Sequence, residues 1–201
     1  MTKALNMTTD LPSPYLIADH PGVELLNSAG APYGAWIDWL QNGQEMLGWM
    51  AAVGLLSTDQ ARTLAVQMPR RELDETAQAM RALRDAFRAN LPEASSSFVA
   101  QLNQILSKGR GHYHLRSDDQ GLALDMVPRL KTGGDLLGLC AAAIADLYCL
   151  GEPGRTRQCD GPTCTYWFRD VSKNNRRRWC SMAVCGNRAK AATHRAKQKR
   201  D

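Results

Sequence analysis

The chain has 201 residues and a mass of 22.2 kDa, room for one ordinary domain and a small second one. Its 44% hydrophobic and 22% charged content is that of a globular protein and excludes wholesale disorder. The 25 Lys and Arg against 20 Asp and Glu give a net charge of +5, which is unevenly spread.

The longest near-apolar run, Leu136 to Ala145, stops at Asp146, short of the ~20 residues a membrane-spanning helix needs. Met1 to Asp10 is polar, and Pro12 and Pro14 follow, so no secretory signal region is expected. The expectation is a soluble cytoplasmic protein with no membrane contact.

In chain order, Tyr33–Gln41 carries Trp36, Trp39 and Leu40 at helical spacing and predicts a helix closed by Gly43. Glu45–Val53 repeats the pattern with Met46, Leu47, Trp49 and Met50, closed by Gly54. The three tryptophans are expected in the core, although they could also line a ligand pocket. Ser57 with Gln60 three residues on resembles a capping box that starts another helix. The clearest helix spans Arg70–Asn90, with Leu73, Ala77, Met80, Leu83 and Phe87 on one face and Arg81, Arg84, Asp85 and Arg88 on the others. Pro92 and Ser95–Ser97 end it, and Phe98–Leu106 begins the next.

The period then changes to two. His112–Arg116 and Leu122–Val127 flank the turn-rich Ser117–Gly121, which predicts one β-hairpin. His112 and His114 share a side of that strand, but no third or fourth ligand accompanies them, so they receive no metal role. Asp135–Leu150 predicts a last helix. Cys140 and Cys149 fall on opposite sides of it, so they cannot share an ion and read as structural thiols.

Cutting at Gly151 gives two unlike pieces. Residues 151–201 hold 13 basic and 4 acidic residues, net +9, whereas residues 1–150 are net −4. Such an asymmetry is a cue for contact with a polyanion. The basic piece also holds Cys159-x4-Cys164-x15-Cys180-x4-Cys185. Two close pairs let two short loops converge four sulfurs on one tetrahedral ion, a closed structural zinc site. Disulfides fit the same spacing, but the lack of a signal region points to a reducing compartment. An iron–sulfur cluster uses the same ligands, and zinc is favoured because no electron-transfer context accompanies the site. About 50 residues bury too little to fold alone, so the ion would supply the missing free energy. Counting four thiolates and one dication, the loaded piece would remain at about +7.

Between the pairs, Tyr166–Arg169 and Arg176–Trp179 read as two strands joined by the polar turn Ser172–Asn175. Arg176 and Arg178 would then face one side, with Arg177 and Trp179 on the other. A helix is expected after Cys185. At about 100° per residue, Ala189, Ala192 and Ala196 share the face of Cys185 and would pack on the metal core. Lys190, His194 and Lys197 lie opposite, and Arg188, Arg195 and Lys199 run along one flank.

These residues resemble a known family. Arg177-Arg178-Trp179-Cys180-Ser181-Met182, followed by Cys185-Gly186-Asn187-Arg188-Ala189-Lys190, is similar to the signature of the CGNR zinc finger, and Phe168, Asp170 and Ser172 fit the segment before it. In that family the finger follows a helical domain called ABATE, and the proteins are regarded as stress-induced transcription regulators. Val23–Ser28 resembles the ABATE motif Leu-Asp-Phe-x-Asn-Thr, departing at Glu24, Leu25 and Ser28. Glu45–Leu56 resembles its stretch ending Gly-Leu-Leu, here Gly54-Leu55-Leu56. The resemblance implies Cys159, Cys164, Cys180 and Cys185 as zinc ligands.

The sequence therefore predicts a mainly α protein with a small β-hairpin, in which a helical ABATE-like domain (1–150) precedes a treble-clef-like four-cysteine zinc module (151–201). The expected function is DNA-binding transcription regulation. Arg177, Arg178, Arg188, Lys190, His194, Arg195 and Lys197 would meet duplex DNA, and the helical domain would sense a small-molecule effector or set oligomeric state. A second reading is an RNA-binding or protein-docking module in which Tyr166 and Trp167 stack on bases. Catalysis is not expected, because the four sulfurs leave no position for activated water and no phosphate loop or nucleophile motif is present.

Overall fold

The computed structural model describes residues 11–31, 35–109, 111–118, 121–150 and 152–198. Its elements in chain order are α1 (Pro21–Asn27), β1 (Ala29–Gly30), β2 (Ile37–Asp38), α2 (Gly43–Ala52), α3 (Thr58–Gln67), α4 (Arg70–Ala89), α5 (Ser96–Leu106), β3 (Gly111–Asp118), β4 (Gly121–Pro128), α6 (Gly133–Cys149), β5 (Thr156–Gln158), β6 (Trp167–Arg169) and α7 (Asn187–Gln198). Each sheet is an antiparallel pair: β1 with β2, β3 with β4, and β5 with β6. The protein is mainly α, as the sequence predicts. Among the described residues, no helix is long and apolar enough to cross a membrane.

The helices begin where side chains can satisfy their free N–H groups. Asn42 Oδ1 accepts from the Gln44 and Glu45 amides, each at 3.0 Å. Ser57 and Gln60 form the expected capping box at the start of α3, and Thr132 with Asp135 forms a second one at α6. Gly54 closes α2 with φ at +78°, a conformation that a side chain would strain.

α4 is the central rod. Leu73, Ala77, Met80, Leu83 and Phe87 form its buried face, which packs against α2 on one side and α6 on another, while α1 also lies across α6. Trp39, Met46, Trp49, Met50, Leu136 and Ile144 complete a single core. At about 1.5–3 kcal/mol for each fully buried large apolar side chain, this core is the main source of stability.

Two expectations are corrected. Tyr33–Gln41 is not a helix among its described residues. Ile37 and Asp38 form β2 against Ala29 and Gly30, and the Trp39 amide donates to the Ser28 carbonyl at 2.8 Å. These tertiary partners override the helical spacing, so Trp39 is buried while Trp36 is 65% exposed and outside the core. Nor do all the arginines of α4 face solvent. Arg84 is 6% exposed and holds Asp38 with two parallel hydrogen bonds of 3.0 and 2.9 Å, and it also donates to Ser28 Oγ at 2.9 Å. Arg81 reaches the Leu40 carbonyl and Arg88 the Leu26 carbonyl. The α4 arginines thus meet a carbonyl just after β2 and another in the last turn of α1, where helix carbonyls lack intrahelical partners.

Burial alone would raise the Asp38 carboxyl, but the Arg84 hydrogen bonds, the Leu40 amide and the positive charge of Arg84 outweigh it, leaving it below its ordinary value of 3.8. A carboxyl depressed on folding adds stability that is fully present above its unfolded value and is lost as the pH falls through the folded one. Asp38→Ala is expected to lower stability by about 3 kcal/mol at pH 7, because Arg84 is left buried and unpaired. Denaturant titration should show that penalty shrinking below about pH 4. An equal penalty at pH 7 and at pH 3 would contradict the assignment.

Candidate metal centre

β5 and β6 pair in the register Thr156↔Arg169, Arg157↔Phe168 and Gln158↔Trp167. The chain leaving β5 reaches Cys159, whose amide donates to the Tyr166 carbonyl at 2.8 Å, and turns back through Gly161, whose carbonyl accepts from the Cys164 amide at 2.9 Å. This tight return presents both sulfurs on one side. The second pair comes from the far end of the module. The Asp160 amide donates to the Arg178 carbonyl at 2.9 Å, which draws residues 178–180 alongside the first loop. Ser181 Oγ then accepts from the Val184 amide at 3.3 Å and caps a wide turn, Met182–Gly186, that delivers Cys185 at the head of α7.

The four Sγ atoms all lie within 4.8 Å of one another. Cys164 and Cys180 are 3.6 Å apart, and Cys180 and Cys185 are 3.7 Å apart. A disulfide needs about 2.05 Å, so these are not bridges. A tetrahedron with ~2.3 Å metal–sulfur bonds has sulfur–sulfur edges of about 3.8 Å, so the observed edges fit that geometry. The Gly161 and Cys180 amides also point at Cys159 Sγ, at 3.4 and 3.3 Å, which favours a thiolate there. Cys159, Cys180 and Cys185 are buried and Cys164 is half-buried. A hydrogen bond from Cys180 pulls the Cys164 thiol down to about 5 against the cost of its burial. The same hydrogen bond, with burial and the neighbouring charges, pushes Cys180 up, and burial leads the rise of Cys185 to about 11. The Cys164 thiolate therefore forms readily, whereas Cys180 and Cys185 resist losing their protons. The residues form a metal site with a hairpin loop on one side and a helix N-terminus on the other, a treble-clef-like arrangement.

Outside this site, Cys140 is buried with its thiol raised to about 12 by burial, and Cys149 is exposed.

Arg176–Trp179 is not a strand, contrary to the expectation; β6 pairs with β5 instead. The Asp170 carboxylate, fully buried, accepts from the amides of Ser172 at 2.9 Å and Arg177 at 2.8 Å, which leaves the Arg177 amide unable to enter a ladder. Arg157 holds Asn175 by its carbonyl and its side chain, fixing the turn in a left-handed conformation.

The two parts of the chain are joined by side chains that the sequence pattern assigns elsewhere. Arg177 does not face outward. Its guanidinium stacks 4.5 Å from the Phe168 ring centre, pairs with Asp19, and donates to the carbonyls of Ile17 at 3.2 Å and Cys180. It therefore links the metal loop to the N-terminal segment and is not available to a partner. Asn27, in the segment that resembles the ABATE motif, accepts from the Trp167 amide at 2.8 Å and donates to the Trp167 carbonyl at 2.9 Å. Glu24 beside it is buried and accepts from the amides of Ile17 at 2.7 Å and Ala18 at 2.6 Å, with burial raising its carboxyl. Gly30 lies so close to Tyr166 that a Cβ would meet the ring at 2.6 Å. A buried polar pair such as Glu24 and Asn27 is the only sequence signal for this junction, and the spacing does not reveal its partner.

The remaining candidate contact residues divide. Arg178 is exposed, hydrogen-bonds Asp160 at 2.7 Å and lies over Trp179. Arg188, Lys190 and Arg195 are exposed on α7. The side chains of His194 and Lys197, and all of Lys199, lie outside the described residues. Of the expected alanine seam, Ala189 is half-buried but Ala192 is exposed, because α7 packs on the Met182–Gly186 turn, and the side chain of Ala196 lies outside the described residues. Tyr166 is 2% exposed and Trp167 is half-buried, which removes the aromatic platform of the RNA reading.

Replacing Cys180 with Ser should abolish stoichiometric metal binding and release residues 152–198, while the core around α4 persists. A red shift of Trp167 and Trp179 emission, with most of the helical circular dichroism retained, would check this. Native-like emission in the variant would refute it.

Comparison with known families places these features. A family model described as "CGNR zinc finger" matches residues 155–198, and the ABATE model, described as "Putative stress-induced transcription regulator", matches residues 19–151. No curated protein matches the chain. With two thirds of its length matched by one model and most of the remainder by the other, the chain belongs to the ABATE family and ends in a CGNR zinc finger.

Proposed function

We propose that the protein is a non-enzymatic, DNA-binding transcription regulator whose finger is held by one structural zinc ion. Zinc is supported by the all-cysteine donor set and its tetrahedral edges. A non-catalytic role is supported by the same closure, since four thiolates leave no coordination position for a reacting water.

The observation that carries DNA binding is α7. It starts at the metal turn, contains no acidic residue, and exposes Arg188, Lys190 and Arg195, with Arg178 close by in sequence to Cys180. Around it the segment 151–201 is strongly positive, whereas the rest of the chain is net negative. Phosphate backbones are the partner such a surface fits, because each neutralised phosphate releases counterions. His194 and Lys197 belong to the same proposal through their helix positions, and Arg177 is left out of it. The helical domain as an effector sensor is supported by a cavity of about 270 Å³ lined by Leu91, Ala94, Leu147, Tyr148, Glu152 and Thr156, where it meets the start of the finger. That volume lies just below the usual range of about 300–1,000 Å³ for ligand pockets. It would admit only a small effector, between an apolar wall and the carboxylates of Glu93 and Glu152.

Duplex DNA affinity should fall steeply with salt, with a log–log slope of about −4 to −6. Replacing Arg188, Lys190 and Arg195 together with Ala should flatten the slope by about 3, with metal content unchanged. Fluorescence anisotropy would measure both. No binding by the metal-loaded protein at ~50 mM salt would overturn the reading.

A further inference from the structure

The β3–β4 hairpin carries a feature that neither the metal site nor the basic helix uses. Its register sets Tyr113 opposite Met126, Leu115 opposite Leu124 and Ser117 opposite Leu122. Alternation along each strand places these six residues on one face, and none of them is charged. His112, His114 and Arg116 occupy the other face. Tyr113 is 74% exposed, Leu115 59%, Leu122 73%, Leu124 65% and Met126 60%. That is the equivalent of about three large side chains left in water, on the order of 600 Å² on one face. The largest apolar patch on a typical monomer rarely exceeds this size. Met126 borders a small cavity against Leu106, Leu139 and Ala142, but a two-stranded hairpin with so open an apolar face is marginal in water.

We propose that this face is the self-association surface of the protein, covered by the same face of a second copy. Three observations select that occupant. The face offers no charge with which to recognise a polyanion or a charged peptide. Two copies face to face would bury about 1,200 Å² in total, the lower bound for a specific interface. The face is also complementary to itself under a two-fold axis through the central Leu115–Leu124 pair. The bulky Tyr113–Met126 end of one hairpin then lies over the slimmer Ser117–Leu122 end of the other, as an isologous interface requires. The histidines and Arg116 remain on the outer face. This proposal is independent of DNA binding.

Sedimentation velocity on the full, metal-loaded chain at about 1 to 100 µM tests it. The expected species has twice the 22.2 kDa chain mass. Leu124→Lys puts like charges into a desolvated contact and is expected to weaken the dimer by about 100-fold or more. Because Leu124 is exposed in one copy, the variant should keep its circular dichroism and metal content. Mixing Leu124→Lys with Leu124→Glu should restore a dimer, which a mere loss of hairpin structure would not do. A wild-type chain that stays monomeric at ~100 µM, a Leu124→Lys chain that still dimerises, or a mixture that stays monomeric overturns the proposal.

Discussion

Four sulfurs held within 4.8 Å of one another cannot all be thiolates without a cation between them. That electrostatic constraint organises the C-terminal third of the chain. The loop after β5, the return at Arg178 and the turn before α7 each exist to bring one or two sulfurs to a common point. The apolar cluster around them consists of Tyr166 and Phe168 with Tyr15, Ile17 and Trp179 beside them, too small to hold the module by burial alone. Metal affinity and folding of this segment are therefore one quantity.

The metal module is not a bead on a string. Arg177, Asn27 and the Ile17–Asp19 segment form a continuous polar seam between it and the helical core, and Tyr166 closes over Gly30. The seam joins the buried Asn27 and the half-buried Arg177 to partners on the far side of the junction. Loss of one partner leaves another desolvated and unpaired, which makes the junction cooperative. Any change in the helical domain that moves α1 acts directly on the backbone of β6. The cavity at Leu91, Leu147 and Thr156 lies at the same junction, so an occupant there would touch both parts.

What the sequence discloses follows the range of the interaction concerned. The Ser57–Gln60 capping box and the buried face of α4 are local patterns, and they appear where the spacing puts them. The cysteine pairs are legible because their geometry is set by short loops. The failures share a cause: long-range partners. Tyr33–Gln41 has helical spacing, but its described backbone pairs with Ala29 and Gly30, and its Asp38 carboxylate is held by Arg84, far away on α4. Arg176–Trp179 has the alternation of a strand, and the alternating exposure of its arginines survives, but Asp170 captures the amide that a ladder would need. Arg177 reads as a contact residue on the Trp179 side of a strand, and only the fold reveals its inward role, by placing Phe168 under it and Asp19 beside it. Asn27 reads as part of a motif, and its partner lies 140 residues further on.

The Asn27 contact has a consequence for solution behaviour. The outward edge of β6 would otherwise offer the amides of Trp167 and Arg169 and the Trp167 carbonyl to any passing strand. The Asn27 amide engages both groups of Trp167, and the Ala18 carbonyl takes the Arg169 amide at 2.9 Å. One side chain and one carbonyl thus stand in for a neighbouring strand and close that edge. Among the described residues, β3 and β4 make no such backbone hydrogen bonds outside their own hairpin. Strand addition, and the fibrillar growth that follows from unprotected edges, is thereby turned away from the β6 edge of the metal-bearing sheet.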